Sequence, residues 1–408
     1  MSLNTFHSEH GFVSAAAFGA VGNGTTDDTA ALQSAIDYLE SVGGGKLVIP
    51  AGNYALSARQ SSGQSSYDNI SLHIKSDNIV IEGERAGAVT LRLRNNQNSH
   101  VITVGATNRI TKNCTIRNIS IDGNRANQTT PTSALHHNAG IYCMRLENSD
   151  LQNISVMNAT YYGIGLENGD FINCSLDNVN VNNTGGDAID FKNQRGGNSS
   201  NTLNNIRVSR WGQVAGITAQ AGIDIRAGVT LTNAHVSLPG VNGAIGVRLR
   251  FEALGSEPSA IDGLQVHGGG NLTFGVQAQQ PESSLSNLKV FGCTTGLRVS
   301  SREIQVAQAL FRDCNDGIQI NGENFGLAPT RCQFTNVIIR ECDNTGFNVA
   351  DSSAVNTFLS SVILHTVRVG LYIRANNLVW VGGEVSNASS ANIDKANSVV
   401  YLTSVLDY

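Results

Sequence analysis

Short runs in which apolar and polar residues alternate return along this chain at a steady spacing. Ten times between Gly140 and Ile373 a small residue is followed by an apolar residue, any residue, then another apolar one, every 21 to 34 residues. The series begins Gly140-Ile-Tyr-Cys, Gly163-Ile-Gly-Leu, Ala188-Ile-Asp-Phe and Gly222-Ile-Asp-Ile, and it ends Gly346-Phe-Asn-Val and Gly370-Leu-Tyr-Ile. Period-two alternation inside a longer repeat marks a chain wound from short strands. The pattern predicts an all-β fold, a single-stranded parallel β-helix. A second series precedes most units by a short turn: Ile119-Ser-Ile, Ile154-Ser-Val, Val179-Asn-Val, Ile206-Arg-Val, Leu264-Gln-Val, Leu288-Lys-Val and Val337-Ile-Ile. Most coils thus carry at least two strands with inward apolar residues, and the solenoid has about ten or more coils.

The pattern changes at both ends. Thr25 to Leu39 reads as an amphipathic helix with Leu32, Ile36 and Leu39 on one face, closed by Gly43-Gly44-Gly45, and it is expected to plug the first coil. Lys46-Leu-Val-Ile-Pro and Asn53-Tyr-Ala-Leu-Ser follow as strands. The expected domains are an N-terminal cap over 1–60, the β-helix over 61–385 and a C-terminal cap strand over 386–408. The apolar ending Val399-Val-Tyr-Leu must pair with the last coil or with a neighbouring subunit.

Composition narrows the function classes. Charged residues make up only 14% of the 408 positions, and the formal net charge is −5 with no basic run, which argues against nucleic acid. No apolar stretch is long enough to cross a bilayer, and no secretion signal is visible at the N-terminus. The seven cysteines fall largely into columns, Cys293, Cys314 and Cys342 after one strand series, Cys114, Cys174 and Cys332 before another, and Cys143 at an inward position. They read as small buried hydrophobes, and no zinc-like CxxC spacing occurs.

The segment Phe18-Gly-Ala-Val-Gly-Asn-Gly-Thr-Thr-Asp-Asp-Thr-Ala-Ala-Leu-Gln-Ser-Ala-Ile, then Gly-Gly-Gly-Lys-Leu-Val-Ile-Pro-Ala-Gly-Asn-Tyr, resembles the N-terminal signature of the pectate-lyase-like superfamily. It is most similar to phage tailspike depolymerases, where a phrase like Gly11-Phe-Val-Ser precedes it. The resemblance implies a right-handed parallel β-helix, a polysaccharide partner, a homotrimer, and a place on a virion tail or otherwise outside a cell. It is weak for chemistry, because such folds host hydrolases, lyases, epimerases and adhesins.

Candidate chemistry comes from the outward residues of the ten-fold series. In order these are Tyr142 and Met144, Gly165 and Glu167, Asp190 and Lys192, Asp224 and Arg226, Arg248 and Arg250, then Gln277 and Gln279. Coils stack about 4.8 Å apart and alternate residues lie about 6.6 Å apart, so Glu167, Asp190, Lys192, Asp224, Arg226, Arg248 and Arg250 are expected to share one patch. Carboxylates that close repel, which leaves an acid beside a base. Glycoside hydrolysis needs such a pair at roughly 5 to 9.5 Å. The arginines favour an acidic sugar, because a guanidinium binds a carboxylate as a fork. The plainer alternative is a set of ion pairs on an exposed sheet, worth less than about 1 kcal/mol each.

Polygalacturonases offer a partial match. Asn183-Thr-Gly-Gly-Asp187-Ala-Ile-Asp190 and Arg248-Leu-Arg250 are similar to their motifs, which implies Asp187 as acid and the two arginines as uronate binders. Gln220-Ala221 stands where their aspartate pair belongs and no Gly-His-Gly lies between, so a hydrolase here would use Asp224 instead. Asp122-Gly-Asn-Arg and Tyr162-Gly-Ile resemble alginate epimerases, but Gly165-Leu166-Glu167 replaces their Asp-Pro-His and removes the histidine. A lyase would hold calcium on Asp187, Asp190 and Asp224 with Arg226 or Arg248 as base, although the Arg-x-x-Pro-x-x-Arg phrase of pectate lyases is missing. Trp211 is a candidate for stacking on a sugar ring or for packing, and His136-His137 sits in a long insertion. The expectation is an endo-acting hydrolase of an acidic polysaccharide without a cofactor. The alternatives are a calcium-assisted lyase and a glycan-binding tailspike or adhesin that does not cut.

Overall fold

The computed structural model describes residues 11–59, 69–129, 138–193, 200–217, 219–226, 228–241, 243–251, 257–322, 328–350, 354–373, 376–388, 393–394 and 400–407. It is an all-β chain of parallel ladders, and it divides into two compact units, 1–220 and 221–408. No helix among the described residues is long and apolar enough to cross a membrane.

In the first unit the second apolar series stacks in register, with Ile119 opposite Ile154, Ile154 opposite Val179 and Val179 opposite Ile206. All four are buried, because period-two alternation sends them to the inner face. The ladder runs back through Gly45–Ile49 and Gly52–Leu56 to Val13, which pairs with Leu47. Parallel coiling therefore reaches well into the segment that the sequence assigns to a cap. The helix is Thr29–Ser41, with Leu32, Ala35, Ile36 and Leu39 buried, and it begins four residues later than its sequence suggests. Asn23–Asp27 is extended instead, pairing with Asn53 and Ala55, and the buried Asp28 carboxylate accepts from the Val21 and Gly22 amides.

In the second unit the same series continues as Ala234, Leu264, Leu288, Ala309, Val337 and Val362, each opposite the next. The outward column expected at Arg248 and Gln277 is also in register, and it runs on through Arg298, Gln319, Asn348 and Tyr372. The terminal strand Val400–Asp407 pairs in parallel with Asn376–Ser386 of the same chain.

The small residue that heads each unit has a steric cause. A Cβ on Gly163 would lie 2.3 Å from a Val181 methyl and 2.5 Å from the Ala188 carbonyl oxygen, so the strand enters where there is no room for a side chain.

Candidate active site

In the first unit, Ile141–Met144, Ile164–Gly169 and Ile189–Asn193 stack so that Tyr142 lies opposite Gly165 and Gly165 opposite Asp190. The bare Gly165 leaves room for aromatic rings, since the Tyr142 and Tyr162 rings both approach to 3.5 Å of where its Cβ would stand. Tyr142 stacks on His100 at 4.3 Å between centroids, and His100 Nδ1 accepts the Ala139 amide at 2.9 Å. Tyr161 meets Tyr162 edge-on at 4.5 Å.

Charge is gathered beside these rings. Lys192 Nζ donates to Glu167 Oε1 at 2.7 Å, pairs with Asp190 Oδ2 at 2.9 Å and lies 3.4 Å from the Tyr162 hydroxyl. Asp187 and Asp190 each place a carboxylate oxygen within 4.8 Å of the other. The turn that delivers Asp187 depends on glycine, because a Cβ on Gly185 would fall 1.9 Å from the Thr160 carbonyl oxygen. Asp190 is fully buried, Glu167 and Asp187 are each 4% exposed, and the Lys192 side chain is 19% exposed. Burial first, and then the charges of Asp190, Glu167 and Asp187, push the Tyr162 phenol far above its ordinary range. Tyr161 moves the same way, from burial and then Asp187, Asp190 and Glu167. Both phenols therefore stay protonated, and the Tyr162 hydroxyl accepts from Lys192.

The second unit carries a cluster of opposite sign. Asp224 is fully buried and grips Arg248 as a fork, Nε at 3.0 Å and Nη2 at 2.6 Å, while Arg226 lies at 3.3 Å and Arg250 at 3.8 Å. Burial disfavours the Asp224 charge, but Arg248, then Arg250 and Arg226, outweigh it and hold the carboxyl down to about 2. Arg250 keeps 32% of its side chain exposed and Arg226 keeps 18%, whereas Arg248 is held inside.

Two expectations change in the structure. The ion pairs do not sit on an exposed sheet, because Asp190, Glu167, Asp224 and Arg248 are all buried, so the small contribution of a solvated pair does not describe them. Trp211 is fully buried with its indole nitrogen 3.4 Å from the Gln220 carbonyl oxygen, which makes it a packing residue rather than a sugar platform. His136-His137 and most of the insertion that carries them lie outside the described residues. Sequence reasoning missed His100 and Tyr161. The doubled tyrosine ahead of Gly163 was a usable signal, because the two rings fall where the coil turns from its corner into the next strand.

A model of the family described as "Rhamnogalacturonase A/epimerase, pectate lyase-like" matches residues 12–245, more than half of the chain. The chain belongs to that family. Among curated relatives, mannuronan C5-epimerase AlgE5 of Azotobacter vinelandii is 39% identical over 112 residues, 27% of this chain and 11% of the relative. Alginate lyase 7 of the same organism is 31% identical over 146 residues, 34% of this chain and 16% of the relative. The matches thus span under a fifth of either curated relative's length. Among solved structures, the A-module of the Azotobacter vinelandii epimerase AlgE4 aligns with a TM-score of 0.63 at 15% identity, covering 97% of both chains. Tailspike protein 3 of bacteriophage CBA120 aligns at 0.65 and 13% identity, covering all of this chain and 62% of that one. At these identities the alignments establish the parallel β-helix, the fold that the periodicity predicts.

Proposed function

We propose that this chain is an enzyme that cleaves an acidic polysaccharide by hydrolysis of its glycosidic bonds. The observation that carries the reading is the first-unit cluster of three buried carboxylates, of which Glu167 and Asp190 hold the Lys192 ammonium and Asp187 lies within 4.8 Å of Asp190. A glycosidic bond breaks through an oxocarbenium-like transition state, and carboxylates beside it stabilise the positive charge that develops there. Removal of a proton beside a uronate carboxylate, the step that opens elimination or epimerisation, builds negative charge instead. Three carboxylates oppose that step. In this reading Asp187 and Glu167, which keep an edge exposed, are the acid and base, and Asp190 anchors Lys192 beside them. Tyr142 and Lys192 contact the sugar. Within the second unit, taken by itself, Arg226 and Arg250 are held by Asp224 and bind an anionic group of the polymer.

A calcium-assisted lyase is the second reading. The spacing of the Asp187 and Asp190 oxygens suits a shared calcium, which would offset the carboxylates' negative charge, and the relatives named above include epimerases and a lyase. A trimeric assembly on a virion tail or otherwise outside a cell is part of the proposal, supported by the tailspike neighbour and checked by sedimentation against the 43.1 kDa protomer.

The test is incubation with polymannuronate, polyguluronate, polygalacturonate and bacterial capsular polymers, with and without EDTA. Reducing ends, absorbance near 235 nm and proton NMR of the sugar are read together. Hydrolysis gives new reducing ends without absorbance, and Asp187→Asn and Glu167→Gln then lower kcat by about a hundredfold or more. Absorbance that EDTA abolishes establishes the lyase, and binding without any new product establishes the glycan binder.

A further inference from the structure

Two hollows in the first unit lie outside the carboxylate cluster, and none of that cluster's residues is among the described residues that line them. Their volumes are about 390 and 430 Å³, and they share Arg92 and Asn124 in their walls, so together they form a continuous polar groove of a size that takes small ligands. We propose that this groove is a second carbohydrate site that holds acidic sugar residues of the polymer, with Arg125 as the group that binds their carboxylate. The proposal rests on the reading that the polymer is acidic, and it extends recognition beyond the place of cleavage.

Charge accounting within the groove points to Arg125. Arg92 Nε is paired with Asp122 at 3.1 Å and Arg94 Nη1 with Asp27 at 3.3 Å. Arg125 makes no ion pair among the described residues. Its Nη2 donates to the neutral amide oxygen of Asn183 at 2.5 Å, and its Nε is buried without a hydrogen-bond partner. Burial accordingly lowers the Arg125 pKa, with no carboxylate to offset it. A half-buried guanidinium without a counter-charge is costly to the fold alone, and an arriving carboxylate recovers that cost through a charge-assisted hydrogen bond.

The groove is also built in advance. Arg125 begins a short helical turn whose first amide is bonded to the Asn158 carbonyl at 3.0 Å. Asn124, in the left-handed region at φ 51°, ties the same turn to the Leu93 carbonyl at 2.9 Å. Gly123 passes so close to the next coil that a Cβ there would fall 2.6 Å from the Asn158 carbonyl oxygen. Asn158 donates to Asp122 at 2.9 Å and accepts from Asn183 at 2.6 Å, so the amides along the wall are held in fixed orientations. Fixed amides beside a guanidinium are the groups that read hydroxyls and a carboxylate, and a site already in its bound form loses little freedom on binding. Nucleic acid does not fit, because the chain carries a net charge of −5 and the groove's other two arginines are already paired.

Calorimetric titration of the full chain tests the proposal, in a Glu167→Gln background so that cleavage does not consume the probe. The probes are hexamers of mannuronate, of guluronate and of galacturonate, with a glucose hexamer and inorganic sulfate as controls. An acidic hexamer is expected to bind, the glucose hexamer to bind at least about tenfold more weakly, and Arg125→Gln to weaken the acidic hexamer by about tenfold while leaving the glucose hexamer unchanged. Arg125→Lys keeps the charge and loses the fork, so it falls between the two, and it replaces Arg125→Gln if that variant does not fold. Equal affinity in the Arg125 variants, no binding of any acidic hexamer, or sulfate binding as tightly as the hexamer each overturns the proposal. Cleavage by the unsubstituted chain is measured separately. Cleavage with no Arg125 effect refutes the groove alone, and an Arg125 effect with no cleavage refutes the hydrolase alone.

Discussion

In the second unit the Asp224 carboxylate has no exposed surface and faces the guanidiniums of Arg248, Arg226 and Arg250. Its pKa in the folded chain is about 2, against an ordinary 3.8. A depressed carboxylate stabilises the fold above the unfolded value, and the stabilisation is lost as pH falls through the folded one, here between about pH 4 and pH 2. The amount is on the order of 2 kcal/mol. Asp224→Asn should therefore destabilise the chain at pH 7 and flatten the pH dependence below pH 4. Unfolding midpoints at pH 7, 4 and 2.5 check this, and an unchanged acid limb would mean that the buried pair is not what acid breaks. Much of this chemistry was legible in the sequence, because strand alternation sends Asp224 and Arg226, then Arg248 and Arg250, to one face. What stayed hidden was burial. In the first unit the same holds for Glu167 and Asp190, which a two-residue period alone marks as solvent-facing and which lie buried near the Tyr162 ring.

Between elements, the corner before the second strand series repeats one device. Asn118, Asn153, Asn178 and Asn205 each stand immediately ahead of the apolar pair, all in the left-handed region with φ between 53° and 60°. The side chains form a ladder, Asn153 donating to Asn118 at 3.0 Å and Asn178 donating to Asn153 at 2.8 Å. Asparagine suits the place for two separable reasons, tolerance of that backbone and one donor plus one acceptor along the stack. Asn153→Gly keeps the backbone and loses both bonds, costing about 1 kcal/mol, whereas Asn153→Ala adds the left-handed penalty and costs about 1 to 2 kcal/mol more. Denaturant midpoints of the two variants separate the terms, and equal losses would show that the ladder alone matters. The Asn-rich composition was plain in the sequence, yet the role was not, because a ladder exists only once coils are stacked. The helix start was misplaced for a related reason. Thr25 to Asp28 reads as an N-terminal turn by itself, and pairing with Asn53 and Ala55 draws its first residues into the ladder.

At the scale of the whole chain, the winding was the most legible property, since a repeat written ten times fixes which residues face inward in each unit, and the observed registers follow it. The division at 220 and 221 left no trace in composition, because a solenoid uses the same inward residues on both sides of it. Cysteine follows the same logic of columns. All seven thiols are free and buried. Burial, as the leading cause, raises Cys114 and Cys332 to about 11 and Cys174 and Cys342 to about 12. A thiol must be both ionised and reachable to attack a disulfide reagent; the Cys293 hydrogen bond shifts Cys314 downward, but that thiol is buried like the other six and so out of reach. Native protein at pH 8 is therefore expected to release no thiol to a chromogenic disulfide on the timescale of minutes, and unfolded protein to release seven. The two units make the measurement informative about position, because Cys114, Cys143 and Cys174 lie in the first and Cys293, Cys314, Cys332 and Cys342 in the second. Release of three ahead of four on titration with denaturant would mean that the first unit opens before the second, and four ahead of three the reverse. Simultaneous release of all seven would mean that the ladders come apart in one step. A thiol reacting at once in the native chain would mean that its column is open to solvent, contrary to the packing described.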